Sequence, residues 1–118
     1  MSADRFIVHQ RKVARASQEH RRATALEVRS RLPAIVDELA RLGAVRVVLF
    51  GSVARGEADD DSDLDLAVLG LPGSKFFEAM SKAWTAAGRP VDLVRLEDAP
   101  PTLRDRILAE GEVLRDAG

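Results

Sequence analysis

The chain has 118 residues, of which 46% are apolar and 31% charged, and a net charge of −1. That length suits one domain with a single modest core. It has no cysteine, which excludes disulfides, a thiolate metal site and a thiol nucleophile and fits a reducing cytoplasm. No apolar run approaches the roughly 18 residues of a membrane span.

The charge is unevenly spread. Residues 1–46 hold ten Lys/Arg against five Asp/Glu, and residues 47–118 hold eight against fourteen. The basic front offers a surface for an acidic partner or nucleic acid, or simply a solvated helix face. Its first residues, "MSADRFIVHQRKVARASQ", carry a short apolar patch without the core of a secretory signal.

In chain order, residues 4–29 have helix-forming composition without a clean apolar stripe. "SRLPAIVDELARLG" (30–43) predicts a helix. Ser30 is placed to cap it, Pro33 sits in its first turn, and Leu32, Ile35, Val36, Leu39 and Leu42 form the apolar stripe. "VRVVLF" (45–50) and "DLDLAVL" (63–69) predict two strands. "SKFFEAMSKAWTAAG" (74–88) predicts a helix capped by Ser74 and stopped by Gly88, with Phe76, Phe77, Met80, Ala83 and Trp84 as its buried face. "VDLVRL" (91–96) predicts a third strand. Thr102 with Asp105 predicts a capped helix ending at Gly111, and "EVL" a short extended tail. The expected fold is α/β, a small mixed three-stranded sheet flanked by helices. Residues 1–30 are expected to form a basic helical extension, and 31–118 the domain itself.

Charge concentrates where it is costly. Asp63 and Asp65 open the second strand two residues apart and share a face, while Leu64, Leu66 and Val68 point to the core. Asp92 opens the third strand. A helix between these strands suits a right-handed parallel crossover, which brings the strand starts to one edge. If the first strand runs antiparallel to the second, its C-terminal Gly51-Ser52 meets the same edge. Clustered carboxylates repel unless cations neutralise them. Three aspartate oxygens on rigid elements suit Mg²⁺, and two such ions can hold both the attacking and the leaving oxygen of a phosphoryl centre. Gly51 lets a ligand approach the backbone, Ser52 offers a hydroxyl, N–H groups after it can face a phosphate, and Arg55 can add charge. Taken alone, Asp-x-Asp also reads as a charged strand end, and Arg55 as a loop charge. An EF-hand fits poorly, since its glycine and final acid are missing. His9 and His20 read as surface residues, and Glu57, Asp59, Asp60 and Asp61 as solvated loop acids.

The stretch "LFGSVARGEADDDSDLDLAVL" resembles the signature of the polymerase-β-type nucleotidyltransferase superfamily, in particular the minimal nucleotidyltransferases of prokaryotes. The pattern hG[GS]x9–13Dh[DE]h is met by Gly51, Ser52, Asp63, Leu64, Asp65 and Leu66. Asp92 matches the third carboxylate, and "RILAEGEVL" resembles the group's usual ending. The resemblance covers about residues 32–115.

It implies that Gly51 and Ser52 bind the phosphates of a nucleoside triphosphate, that Asp63 and Asp65 ligate two Mg²⁺ ions, and that Asp92 ligates the catalytic ion and helps activate an acceptor hydroxyl. The implied reaction is transfer of AMP from ATP with loss of pyrophosphate. Larger relatives carry a second domain for the acceptor. Here a homo-oligomer or another chain would supply that wall. The group resembles antitoxins paired with a helical HEPN-type toxin, which makes a partner protein the expected acceptor. The alternatives are a small-molecule transferase of the aminoglycoside-modifying kind and a non-catalytic toxin-binding module. Nucleic-acid binding is the weaker expectation, because aromatics are 4% and tyrosine is absent.

Overall fold

The computed structural model describes residues 3–117, with side chains from residue 17 onward; His9 lies outside those described side chains. Two helices lead, α1 (Ala3–Ser30) and α2 (Leu32–Arg41). Strand β1 (Arg46–Phe50) runs directly into a single helical turn, α3 (Gly51–Ala54). After a loop come β2 (Leu64–Leu69), α4 (Phe76–Ala87), β3 (Val91–Arg95), α5 (Pro101–Glu110) and β4 (Glu112–Asp116).

The sheet has four strands in the order β3-β2-β1-β4. β1 is antiparallel to β2 and to β4, and β2 is parallel to β3. The mixed topology read from the polar residues is therefore present, with one strand more than expected. The extra strand is the tail: Glu112 pairs with Leu49 and Asp116 with Arg46. Its residues are only half covered, so no apolar alternation announces it; hydrogen bonding to the free edge of β1 makes it a strand.

Strand parity divides the sheet into two faces. Val47, Leu49, Leu64, Leu66, Val68, Val91 and Leu93 face the main core, where Ile35 and Leu39 of α2 and Ala79, Ala83 and Ala87 of α4 cover them. The last turns of α1 join this core through Ala25 and Val28. The opposite face carries a smaller cluster of Val48, Ala67, Leu96 and Ile107, with α5 as its cover.

Three expected caps are absent. Ser30 ends α1 and its hydroxyl donates to the Glu27 carbonyl, while α2 starts after Arg31 without a side-chain cap. Ser74 sits in a 3-10 turn ahead of α4, and α5 starts at Pro101, which leaves Thr102 inside the helix. In the latter two, a proline-led turn sets the entry into the helix, which removes the need for a hydroxyl acceptor. The buried face of α4 also differs from expectation. Ala79, Ala83 and Ala87 face the core, with Phe76 and Met80 packed partly against it as expected, while Phe77 is 81% and Trp84 46% exposed. Small residues let α4 and α2 approach closely, and that leaves Phe77 and Trp84 on the outward side.

Gly111 joins α5 to β4 at a point with no room for a side chain. A Cβ there would lie 2.4 Å from Val48 Cγ1, 2.5 Å from the Ile107 oxygen and 3.1 Å from the Leu49 oxygen. Two of these are backbone atoms that cannot swing aside. Gly111→Ala is expected to destabilise the fold by about 3 kcal/mol, the upper end of the usual overpacking range. Chemical denaturation would read it, and a loss below about 0.5 kcal/mol would show that β4 is loosely held.

Candidate active site

The three aspartates sit at one edge of the sheet, on the α5 side. Asp65 and Asp92 are direct register partners across the parallel β2/β3 pair, and Phe50 stands opposite Asp65 on β1. Neighbouring strands lie roughly 4.8 Å apart, so adjacent carboxylates on one face are within mutual reach. Asp63 lies one residue ahead of β2, just before the strand begins. Leu64 and Leu66 flank Asp65 as fully buried anchors, which fixes the strand rigidly beneath the carboxylates.

The electrostatics follow from this crowding. The carboxyl of Asp65 is pushed from its ordinary 3.8 up to about 6. Partial burial is the main cause, then the negative charges of Asp92 and Asp63; Arg55 pulls the other way. Asp65 thus feels Asp92, Asp63 and Arg55, four residues from three separate stretches of the chain.

Gly51 shapes the floor. It has φ +76°, a left-handed conformation that suits glycine. A Cβ at this position would lie 2.1 Å from Asp65 Oδ2. The missing side chain is therefore the space the carboxylate occupies. Ser52 follows in α3, and Arg55 terminates that turn, its backbone N–H donating to the Gly51 carbonyl at 3.2 Å. Gly51 and Arg55 also border a cleft of about 450 Å³ whose apolar wall is Phe50, Leu103 and Ile107. The aspartates do not line that cleft; it opens beside them.

The loop between α3 and β2 is held by contacts that the sequence did not advertise. The Ser62 hydroxyl accepts from the Asp59 backbone N–H at 2.8 Å, closing a tight turn immediately before Asp63. Arg89 donates to the Ser62 carbonyl at 3.0 Å. His20 of α1 and Asp60 are 2.9 Å apart, both largely exposed. On the other side, the Trp84 indole N–H donates to the Val91 carbonyl at 2.9 Å, next to Asp92. Nothing local marks Arg89 or Trp84 for these roles. The nearest signals are that Arg89 lies in the Gly-Arg-Pro turn leading into β3 and that Trp84 is the sole tryptophan.

Among the described residues, no three His, Cys, Asp or Glu side chains close on a common point. Like charges push apart, and Asp92 and Asp63 add to the effect of burial in raising the Asp65 carboxyl, which Arg55 offsets only in part. In donor chemistry the set fits a hard divalent cation: carboxylate oxygens only, two of them on adjacent strands, with Gly51 giving the Asp65 carboxylate its place.

Four similarities bear on this arrangement. The family described as "Polymerase beta, Nucleotidyltransferase" matches residues 35–117. A Methanocaldococcus jannaschii protein, named as a protein adenylyltransferase, is 32% identical over 79 residues, covering 64% of this chain and 85% of its own length. A solved structure of a minimal nucleotidyltransferase superposes with a TM-score of 0.68 at 40% identity, covering 75% of this chain and 93% of the other. A crystal structure of a toxin–antitoxin with AMP-PNP superposes with a TM-score of 0.65 at 29% identity, covering 71% of this chain and 72% of that one. With the sheet order, the Gly51 bend and the family match in agreement, the chain belongs to the polymerase β nucleotidyltransferase family and is a nucleotidyltransferase.

Proposed function

We propose that this enzyme transfers AMP from ATP to a hydroxyl of a partner protein, acting as the antitoxin of a pair whose toxin is a helical HEPN-type protein. The observation that carries the reaction type is the direct pairing of Asp65 with Asp92 beside the Gly51 bend. The similarity to a relative named for protein adenylyl transfer supports the acceptor class. The similarity to a toxin–antitoxin crystallised with AMP-PNP supports both the nucleotide and the pairing.

Asp63, Asp65 and Asp92 would hold two Mg²⁺ ions, which supply charge neutralisation at the reacting phosphate. Gly51 and Ser52 border the path of the triphosphate, the glycine because it leaves the backbone bare and the serine through its hydroxyl. Arg55 adds positive charge on the same side. The acceptor oxygen attacks the α-phosphorus in line, the bond from that phosphorus to the bridging oxygen of pyrophosphate breaks, and Asp92 would help take the hydroxyl proton. The residues contribute positioning and charge, and form no covalent bond with the substrate.

The decisive experiment mixes the chain with the product of the adjacent open reading frame, ATP and Mg²⁺, and weighs that product by mass spectrometry. An increment of AMP on a tyrosine is the expected result. No increment, with neutralisation of the toxin preserved by Asp63→Ala, would identify a non-catalytic binding module instead. Turnover of ATP on a hydroxylated small molecule alone would point to the aminoglycoside-modifying kind.

A further inference from the structure

Helix α1 places basic side chains beside the candidate site. A small polar pocket of about 110 Å³ lies between α1 and the end of α3, lined by Gln18, Arg21, Arg22, Arg55, Gly56 and Glu57. Three arginines and a single acid, Glu57, line it together. Arg55 reaches Glu57 only at 3.7 Å, with both side chains more than 60% exposed. Among the described residues, neither Arg21 nor Arg22 lies within ion-pair distance of a carboxylate. Convergent guanidinium groups with too few counter-charges form a site for an anion.

The helix is anchored at this point. His20, next to Arg21, contacts Asp60 at 2.9 Å, on the loop that leads to Asp63. Five residues further on, Ala25 is buried in the main core. The arginines are therefore presented from a packed helix held at both ends of this segment. This stretch lies outside the region matched by the family, which starts at residue 35.

We propose that Arg21 and Arg22 of α1 join Arg55 to form a subsite for a pyrophosphoryl group: the β- and γ-phosphates of the bound nucleotide before transfer, and pyrophosphate after it. Arg55 belongs both to this pocket and to the cleft that Gly51 borders, so it links the two. The pocket is too small for a nucleoside and carries no aromatic wall for a base. Its ligand is thus the charged tail. Planar guanidinium forks match phosphoryl oxygens in pairs, and three of them around one pocket favour a dense polyanion over a single phosphate. The subsite presupposes nucleotidyl transfer at the aspartates.

The test is calorimetric titration of the full chain with ATP, pyrophosphate and AMP in the presence of Mg²⁺. The double variant Arg21→Gln/Arg22→Gln is expected to bind ATP and pyrophosphate about tenfold more weakly while AMP binding stays within about twofold. Arg21→Lys/Arg22→Lys is expected to recover part of the loss, and thermal melting of both variants should stay close to the parent, since Arg22 is exposed and Arg21 only half-buried. Unchanged pyrophosphate affinity in the glutamine variant overturns the subsite. So does an equal loss for AMP, or an effect confined to a labelled RNA probe. If pyrophosphate binding depends on the two arginines but no acceptor is ever modified, the subsite stands and the proposed reaction falls. If transfer proceeds and the glutamine variant binds both anions normally, the reverse holds.

Discussion

Asp65→Asn is expected to abolish nucleotidyl transfer while making the metal-free protein more stable at neutral pH. Its carboxyl titrates near 6 in the folded chain against an ordinary 3.8. Folding therefore favours the protonated form. Between these two values the folded state binds more protons than the unfolded state, so stability falls as pH rises from about 3.8 to about 6 and stays at the lower level above that. The full shift corresponds to about 3 kcal/mol, but the group is only partly buried, and solvent screening reduces this to about 1 kcal/mol. Asparagine is neutral throughout. At pH 8 the variant should melt roughly 4 °C higher than the parent, and below pH 3.5 the two should converge. Loss of a negatively charged group at the reacting phosphate should cost about 10³-fold in activity. Added Mg²⁺ should raise the melting point of the parent and leave that of the variant nearly unchanged. Melting curves across pH, with and without Mg²⁺, check the first part, and an AMP-transfer assay the second. A variant less stable than the parent at pH 8 would contradict the crowding of Asp63, Asp65 and Asp92.

Gly51→Ala should reach the same carboxylate from the other side. The new methyl would meet Asp65 Oδ2 at 2.1 Å and Asp65 Cγ at 2.9 Å. The carboxylate has to rotate away, and misplacement by about 1 Å costs about 10²-fold in such a site. The left-handed backbone at φ +76° adds about 1–2 kcal/mol of strain for any residue with a Cβ. The two costs can be separated in a double-mutant cycle. In an Asp65→Ala background the two closest contacts have gone and only the residue-65 Cβ at 3.2 Å remains, so Gly51→Ala should then destabilise by little more than the strain. Denaturation of the four proteins measures the coupling. If Gly51→Ala costs the same with and without Asp65, the two residues are independent and the cradle is not real.

Both results depend on features the sequence displays. Asp63, Asp65 and Asp92 were legible because strand parity is a local property: two residues apart means one face, and Leu64, Leu66 and Leu93 declare which face is core. The Gly51-Ser52 bend was legible because an apolar strand stopped there. Convergence of these pieces required only that β3 run parallel to β2, which the connecting helix favours, and that β1 run antiparallel, which the placement of the polar residues suggests. The helix caps at Ser30, Ser74 and Thr102 were misread because capping is a competition among nearby groups, and proline-led turns won it in two of the three.

The positions of β3, β2 and β1 and the edge where acids meet glycine were thus determined by the chain's own pattern, since alternation and turn chemistry act within a few residues. Tertiary structure alone decided that the tail would become β4, because an unpaired strand edge rather than its own composition recruits it. It also decided that Phe77 and Trp84 would face outward, because the close approach of α2 puts Ala79, Ala83 and Ala87 at the centre of the buried face. And it brought Arg21 and Arg22 to Arg55, more than thirty residues away, through packing of one helix on another, an outcome no local signal encodes.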